Sequence, residues 1–176
     1  MHPEDELGTM GAMPDSYTVT VVCTGNICRS PIAEVLLREA FDDAGLGDQV
    51  EVNSAGTGDW HVGSDMDHRA RAVLEDAGHT FEAHSARQFL TDTFADSDLI
   101  LAADTGHYEQ LTALAPDDDM ARRVQLLLAF DPEAYASQEL NLADPYYGDN
   151  RDFTLAYDAV SAAVPGVVQY VRKQLR

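Results

Sequence analysis

Three residues of this chain have types and spacing suited to chemistry: Cys23, Cys28 and Arg29, with Ser30 directly after them. Cys-x5-Arg alone is a weak pattern, equally met by a buried thiol at a strand end. Its flanks make it specific. Tyr17-Thr18-Val19-Thr20-Val21-Val22 is a dense β-branched run that predicts a buried strand. Ser30-Pro31-Ile32-Ala33-Glu34 opens a helix, with Ser30 at the N-cap or first turn and Pro31 at N1. A short loop between strand and helix turns successive backbone N–H groups inward as an anion nest, and the helix N-terminus adds partial positive charge. Gly25 and Asn26 are residue types that accept the left-handed backbone of such a curl. Thr24, Gly25, Asn26, Ile27 and Cys28 supply the loop's amides, and Arg29 can grip two oxygens of one anion. The same field favours the thiolate of Cys23, and the Ser30 hydroxyl can hydrogen-bond its sulfur. The chemistry this predicts is attack of Cys23 on phosphorus, a phosphocysteine intermediate, and its cleavage by water, with one carboxylate serving as acid and then base. A nucleotide P-loop does not fit, because Gly-x4-Gly-Lys-Ser/Thr is absent and the single lysine is Lys173.

Strands and helices must place this loop. Val50-Glu51-Val52-Asn53-Ser54-Ala55 alternates like a second strand, and 56–64 reads as a Gly-bearing loop around Trp60 and His61. A helix is predicted over 67–77, a third strand over 98–103, a helix over 105–115 and a fourth strand over 124–128. Asp144-Pro145-Tyr146-Tyr147-Gly148-Asp149 has strong turn chemistry. Phe153 to Leu175 reads as a last helix, kinked or split at Pro165-Gly166. Alternating strands and helices imply an α/β fold with a parallel sheet covered on both faces. Residues 1–16 are acidic, carry Pro and Gly, and read as a disordered tail; residues 17–176 form a single domain.

The chain carries 31 acidic against 11 basic residues, a formal net charge of −20. Such a surface repels nucleic acid and anionic membranes. It fits solubility, and after that a basic docking partner. With no 18-residue apolar run and no signal-like N-terminus, the expected compartment is the cytoplasm. Two cysteines make neither a disulfide framework nor, without a nearby pair of histidines, a zinc site. A reactive thiol is the better reading, with Cys28 either packed or able to form a reversible disulfide that guards Cys23 against over-oxidation.

The chain resembles the low-molecular-weight protein tyrosine phosphatases in three motifs that stand in that family's order. These are Val22-Cys23-Thr24-Gly25-Asn26-Ile27-Cys28-Arg29-Ser30-Pro31, Asn53-Ser54-Ala55-Gly56-Thr57-Gly58-Asp59-Trp60-His61-Val62-Gly63, and Asp144-Pro145-Tyr146-Tyr147-Gly148. The resemblance implies a four-stranded parallel sheet of flavodoxin-like order with helices on both sides. It implies Cys23 as nucleophile, Arg29 as phosphate ligand and Asp144 as general acid, then base. Asn26, Ser54 and His84 look like supports of the loop, Ser30 like the thiolate's partner, and Trp60, Tyr146 and Tyr147 like walls for an aromatic phosphoester. It implies phosphotyrosine-containing proteins as partners, inorganic phosphate or another oxyanion in the loop, and no metal or cofactor; a monomer is expected. Thr24 departs from the leucine expected after the nucleophile.

Related readings are phosphoarginine hydrolysis, arsenate reduction and a non-catalytic phosphate-binding module. Relatives that prefer phosphoarginine carry Thr where this chain has Ile27 and lack the paired Tyr, so the resemblance at Ile27, Tyr146 and Tyr147 implies an aromatic phosphoester. Arsenate reductases of similar loop use a downstream cysteine pair, and no cysteine follows Cys28. His61 reads as structural. Asp104 reads as a helix cap that could also join the site.

Overall fold

The β-branched run at the start of the chain becomes β1 (Tyr17–Cys23), and its continuation as helix α1 (Arg29–Asp43) leaves five residues between them for a tight loop. β2 (Val50–Gly56), β3 (Leu99–Ala102) and β4 (Val124–Leu126) complete an all-parallel sheet in the order β2-β1-β3-β4. The remaining helices are α2 (His68–Asp76), α3 (Thr105–Leu114), α4 (Asp118–Ala121), α5 (Pro132–Ser137) and α6 (Asn150–Gln174), with 3-10 turns at Thr91–Asp96 and Leu127–Phe130. This computed structural model describes residues 16–175, so the expected tail, apart from Ser16, lies outside the described residues.

Alternation along β1 divides the core. Val19, Val21 and Cys23 point into a large cluster with Ile32, Leu36 and Leu37 of α1 and Val160, Ala163 and Val167 of α6. Val22 points the other way, to Ile100, Phe94, Leu111 and Val124. The expected α/β architecture, with a four-stranded parallel sheet and helices on both faces, is therefore the one observed. β1 is flanked on one side by β2 and on the other by β3, so the crevice at its carboxyl end is the switch point where such sheets bind ligands. Cys23 is the last residue of that strand, paired in register with Gly56.

Several local expectations need correction. α1 starts at Arg29, so Cys28 is the N-cap without a side-chain cap bond, Ser30 takes the first turn, one of its two expected places, and Pro31 sits at the third helical position rather than at N1. The Ser30 hydroxyl is drawn away from capping by Cys23 and Asn26. The last helix is unbroken from Asn150 to Gln174 across Pro165. A proline removes one N–H bond, and burial of Val160, Ala163 and Val167 on both sides of it outweighs that loss. The fourth strand stops at Leu126, where the chain tightens into a 3-10 turn. Among the described residues no helix is long and apolar enough to cross a membrane.

Candidate active site

The loop between β1 and α1 is curled by one left-handed residue. Asn26 has φ 58°, while Gly25, the other residue expected to take that conformation, does not have a positive φ. Gly25 is instead a place of close approach: a Cβ there would stand 2.8 Å from His61 Cδ2. Gly56 is required on the opposite side, since a Cβ there would meet the Thr24 carbonyl oxygen at 2.5 Å. The loop is stitched to the chain after β2 by Thr57 N–H donating to Cys23 O at 2.8 Å and Gly58 N–H to Thr24 O at 3.0 Å.

Asn26 holds the curl with its whole side chain, which is fully buried. Its Nδ2 donates to Ser30 Oγ at 2.8 Å and to Ser54 Oγ at 2.9 Å, and its Oδ1 accepts the Arg87 N–H at 3.0 Å. His84 Nε2 reaches the Asn26 carbonyl oxygen at 2.6 Å. Ser54 passes the network on, donating to Glu34 Oε1 at 2.6 Å. With one Ser30 Oγ lone pair occupied by Asn26, the hydroxyl proton can be directed to Cys23 Sγ at 3.0 Å, closer than its other acceptor, Ala55 O at 3.5 Å.

Arg29 enters from the first turn of α1, almost entirely buried. Nη1 donates to Leu142 O at 2.8 Å and Asp104 Oδ2 at 3.1 Å, and Nη2 donates to Thr24 Oγ1 at 3.3 Å. Asp144 Oδ2 lies 3.6 Å from Nη2. Asp104 does both things the sequence left open: Oδ1 caps α3 by accepting His107 N–H at 2.9 Å, and Oδ2 pairs with Arg29. Burial alone would raise the Asp104 carboxyl, but the His107 amide, His107 and Arg29 outweigh it and hold the group below the usual carboxylate range. Burial drives the Cys28 thiol far above its ordinary value, with Asp67, Cys23 and Asp144 adding to the rise and Arg69 opposing it.

A cleft of about 380 Å³ opens over this loop. Cys23, Thr24, Gly25, Ile27, Cys28 and Arg29 form its floor, Asp144 its edge, and Trp60, His61, Tyr146 and Tyr147 its walls. Tyr146 and Tyr147 stack edge to face with centroids 5.0 Å apart, and His61 lies 6.2 Å from Tyr146. Trp60 and Tyr147 are 72% and 90% exposed, so the mouth of the cleft presents aromatic surface to solvent. Ser54, His84 and Ser30 line no part of the cleft and act on the loop from behind.

Sequence reasoning missed three contributors. Asp67 N–H donates to Ile27 O at 2.8 Å, tying α2 to the loop. The Asp67 carboxylate holds Arg69, whose other N–H groups reach Gly148 O at 2.9 Å and Tyr146 O at 3.0 Å. Arg69 thus fixes the segment that carries Asp144. His107 lies under Thr24. The only sequence signal for these was helix-start chemistry at Asp67 and Asp104. Among the described residues no group of three or more His, Cys, Asp or Glu side chains is arranged to hold a metal ion.

Residues 18–176 match the family model for low molecular weight phosphotyrosine protein phosphatase. The chain belongs to that family. A low molecular weight protein-tyrosine-phosphatase of Streptomyces coelicolor is 47% identical over 160 residues, covering 91% of this chain and 96% of the relative. Low molecular weight protein-tyrosine phosphatase A of Mycobacterium tuberculosis is 44% identical over 163 residues, covering 93% and 96%. The crystal structure of a protein tyrosine phosphatase from Entamoeba histolytica superposes with a TM-score of 0.84 at 26% identity, covering 90% of this chain and 99% of that one.

Proposed function

We propose that this chain hydrolyses phosphotyrosine in proteins through a phosphocysteine intermediate. The Cys23 thiolate attacks phosphorus while the tyrosine oxygen leaves with a proton from the Asp144 carboxyl. The Asp144 carboxylate then takes a proton from water, the water oxygen attacks phosphorus, and Cys23 departs as thiolate with inorganic phosphate as product. Arg29 and the loop amides carry the charge that gathers on the equatorial oxygens. The observation that carries this reading is the convergence of Cys23, Arg29 and Asp144 on one cleft walled by Trp60, Tyr146 and Tyr147. A ring ester fits that cleft; a serine or arginine phosphate leaves the aromatic walls unused. The family to which the chain belongs supports the same substrate class.

The test is a comparison of hydrolysis rates for phosphotyrosine, phosphoserine and phosphoarginine peptides of matched sequence, with Cys23→Ser as blank. Phosphotyrosine is expected to exceed both by at least about tenfold in kcat/KM, the scale of one well-filled pocket contact. Equal or faster turnover of phosphoarginine would overturn the substrate assignment while leaving the mechanism standing.

A further inference from the structure

Four side chains form a closed polar ring beneath the cleft. Arg29 Nη2 meets Thr24 Oγ1 at 3.3 Å, and Thr24 Oγ1 meets His107 Nε2 at 2.7 Å. His107 Nδ1 lies 3.0 Å from Asp104 Oδ1, and Asp104 Oδ2 accepts Arg29 Nη1 at 3.1 Å. We propose that Thr24 and His107 are positioning residues that set the orientation of the Arg29 guanidinium, with His107 acting as a neutral imidazole protonated on Nδ1. The proposal rests on the phosphatase reading above and adds to it a requirement made by two residues outside the nucleophile, acid and arginine.

The direction of each bond follows from donor counting. His107 Nδ1 has no hydrogen-bond partner of good geometry and faces the Asp104 carboxylate. A lone pair on Nδ1 would stand against the lone pairs of Oδ1, so the proton belongs on Nδ1. Nε2 is then an acceptor, and its hydrogen-bond partner among the described residues is the Thr24 hydroxyl, which supplies the proton. The Thr24 oxygen is left with lone pairs, one of which takes Arg29 Nη2–H. Three contacts of the ring thereby join a donor to an acceptor as hydrogen bonds, and the fourth, Nδ1–H beside Asp104 Oδ1, is an electrostatic contact.

Burial supports the neutral state. The His107 side chain is 4% exposed. Burial pushes its pKa below the ordinary imidazole value and Arg29 adds to that, against Asp104 and Asp144. A polar ring in that position costs desolvation that leucine would not, so its presence asks for a polar purpose. The purpose shows in what is left of Arg29. Nη1 spends both hydrogens on Asp104 and Leu142 O, and Nη2 spends one on Thr24. Nε–H and the second Nη2–H remain, the latter with Asp144 Oδ2 3.6 Å from its nitrogen, and these are the donors left for the oxygens of a phosphate. His107 does not line the cleft, so it acts on the ligand only through Thr24 and Arg29.

The experiment is calorimetric titration of the full chain with inorganic phosphate, alongside ¹⁵N NMR of the histidine side chains at neutral pH. Wild type, Thr24→Val, Thr24→Ser, His107→Phe and the Thr24→Val/His107→Phe double variant are compared. Thr24→Val and His107→Phe are each expected to weaken phosphate binding about threefold to tenfold, the span of one net hydrogen bond. The double variant should be no weaker than the weaker single within about twofold, because both break one chain of contacts. Thr24→Ser, which keeps the hydroxyl, should bind like wild type, and the spectrum of His107 should show the neutral Nδ1–H form. Phosphate binding by Thr24→Val equal to wild type, or a proton on Nε2, overturns the proposal. If His107→Phe fails to fold, the Thr24 variants and the NMR signature decide alone. A wild type that binds phosphate without hydrolysing phosphotyrosine removes the phosphatase reading and leaves this ring to be judged by the same titrations; a wild type that binds no phosphate removes both.

Discussion

The two oxygens of Asp144 face different neighbours. Oδ1 accepts Tyr146 N–H at 3.1 Å, and Oδ2 looks across at Arg29 Nη2. One oxygen is thus held by the backbone, and the other is the one the proposed mechanism uses to carry a proton between the leaving group and water. Asp144→Asn should lower kcat by roughly 10²–10⁴ on an ester with a poor leaving group, the usual scale for a general acid, and by less on one that departs unaided. Near-wild-type turnover of the poor leaving group would take Asp144 out of the mechanism. Cys28 sits in the same floor, where burial pushes its thiol well above the ordinary value. We expect it to act after oxidation, its thiol condensing with a Cys23 sulfenic acid to give a disulfide and water. Wild type should regain activity after peroxide and then reductant, whereas Cys28→Ser should regain markedly less; equal recovery in both would sink this role. The residues of the loop itself were legible because their chemistry is local: thiol, Asn at the left-handed position and Arg fall within seven positions. His107 was not, since it meets Thr24 across 83 residues and an isolated histidine on a helix carries no signal of its partner.

At the scale of elements, α2 joins the loop before α1 to the segment that carries Asp144. Its N-cap Asp67 takes the loop through Ile27 O, and its first-turn Arg69 takes the segment through Tyr146 O and Gly148 O while lying over the Phe153 ring at 4.5 Å. Arg69→Met keeps the apolar stem but removes those bonds. It should lower kcat/KM for an aryl phosphate about 10–100-fold, since small misplacements of a catalytic group cost that much, while inorganic phosphate inhibits as in wild type. An equal loss in phosphate inhibition would place Arg69 in the loop's support instead. Asp67 links this to stability. The hydrogen bond from Arg69 holds its carboxyl below the usual carboxylate range, so the ionised form is favoured by folding. A depressed folded pKa gives stability that is present above the unfolded value and is lost as pH falls through the folded one. Asp67→Asn keeps a capping oxygen but not the charge, so its chain should unfold at lower denaturant than wild type at neutral pH, and the gap should close in acid. A gap unchanged from neutral to strongly acid pH would show that the charge contributes nothing. Strand and helix identities were legible from periodicity, but their edges followed tertiary demands. Ser30 left capping to serve Cys23, and Pro165 was accepted inside α6 because both flanks are buried. α5 was missed although Asp131 and Pro132 mark its start, because six residues give too short a period to read.

For the whole molecule, the question is how a chain with a formal charge of −20 captures a dianion. The attraction is short in range: the loop amides, the end of α1 and one buried guanidinium. The repulsion comes from carboxylates spread over the surface, which act over longer distances and through water. Salt screens the second before the first, because the Debye length falls to about 10 Å at ~0.1 M while a phosphate bound as proposed would be within hydrogen-bond reach of Arg29. The expected result is that kcat/KM for a small aryl phosphate rises with ionic strength from about 0.01 M to about 0.1 M before levelling, the reverse of what a positively charged phosphatase surface would give. Phosphotyrosine peptides separate this from a general salt effect on the fold. A peptide with lysines around the phosphotyrosine is drawn by the surface, so its kcat/KM should fall over the same range, while one with glutamates should rise more steeply than the small ester. If all three fall together, the surface charge does not govern capture and the acidity serves solubility alone. If their slopes order by peptide charge, the acidic surface itself selects among phosphotyrosine substrates, favouring basic sequence around the tyrosine that the cleft accepts.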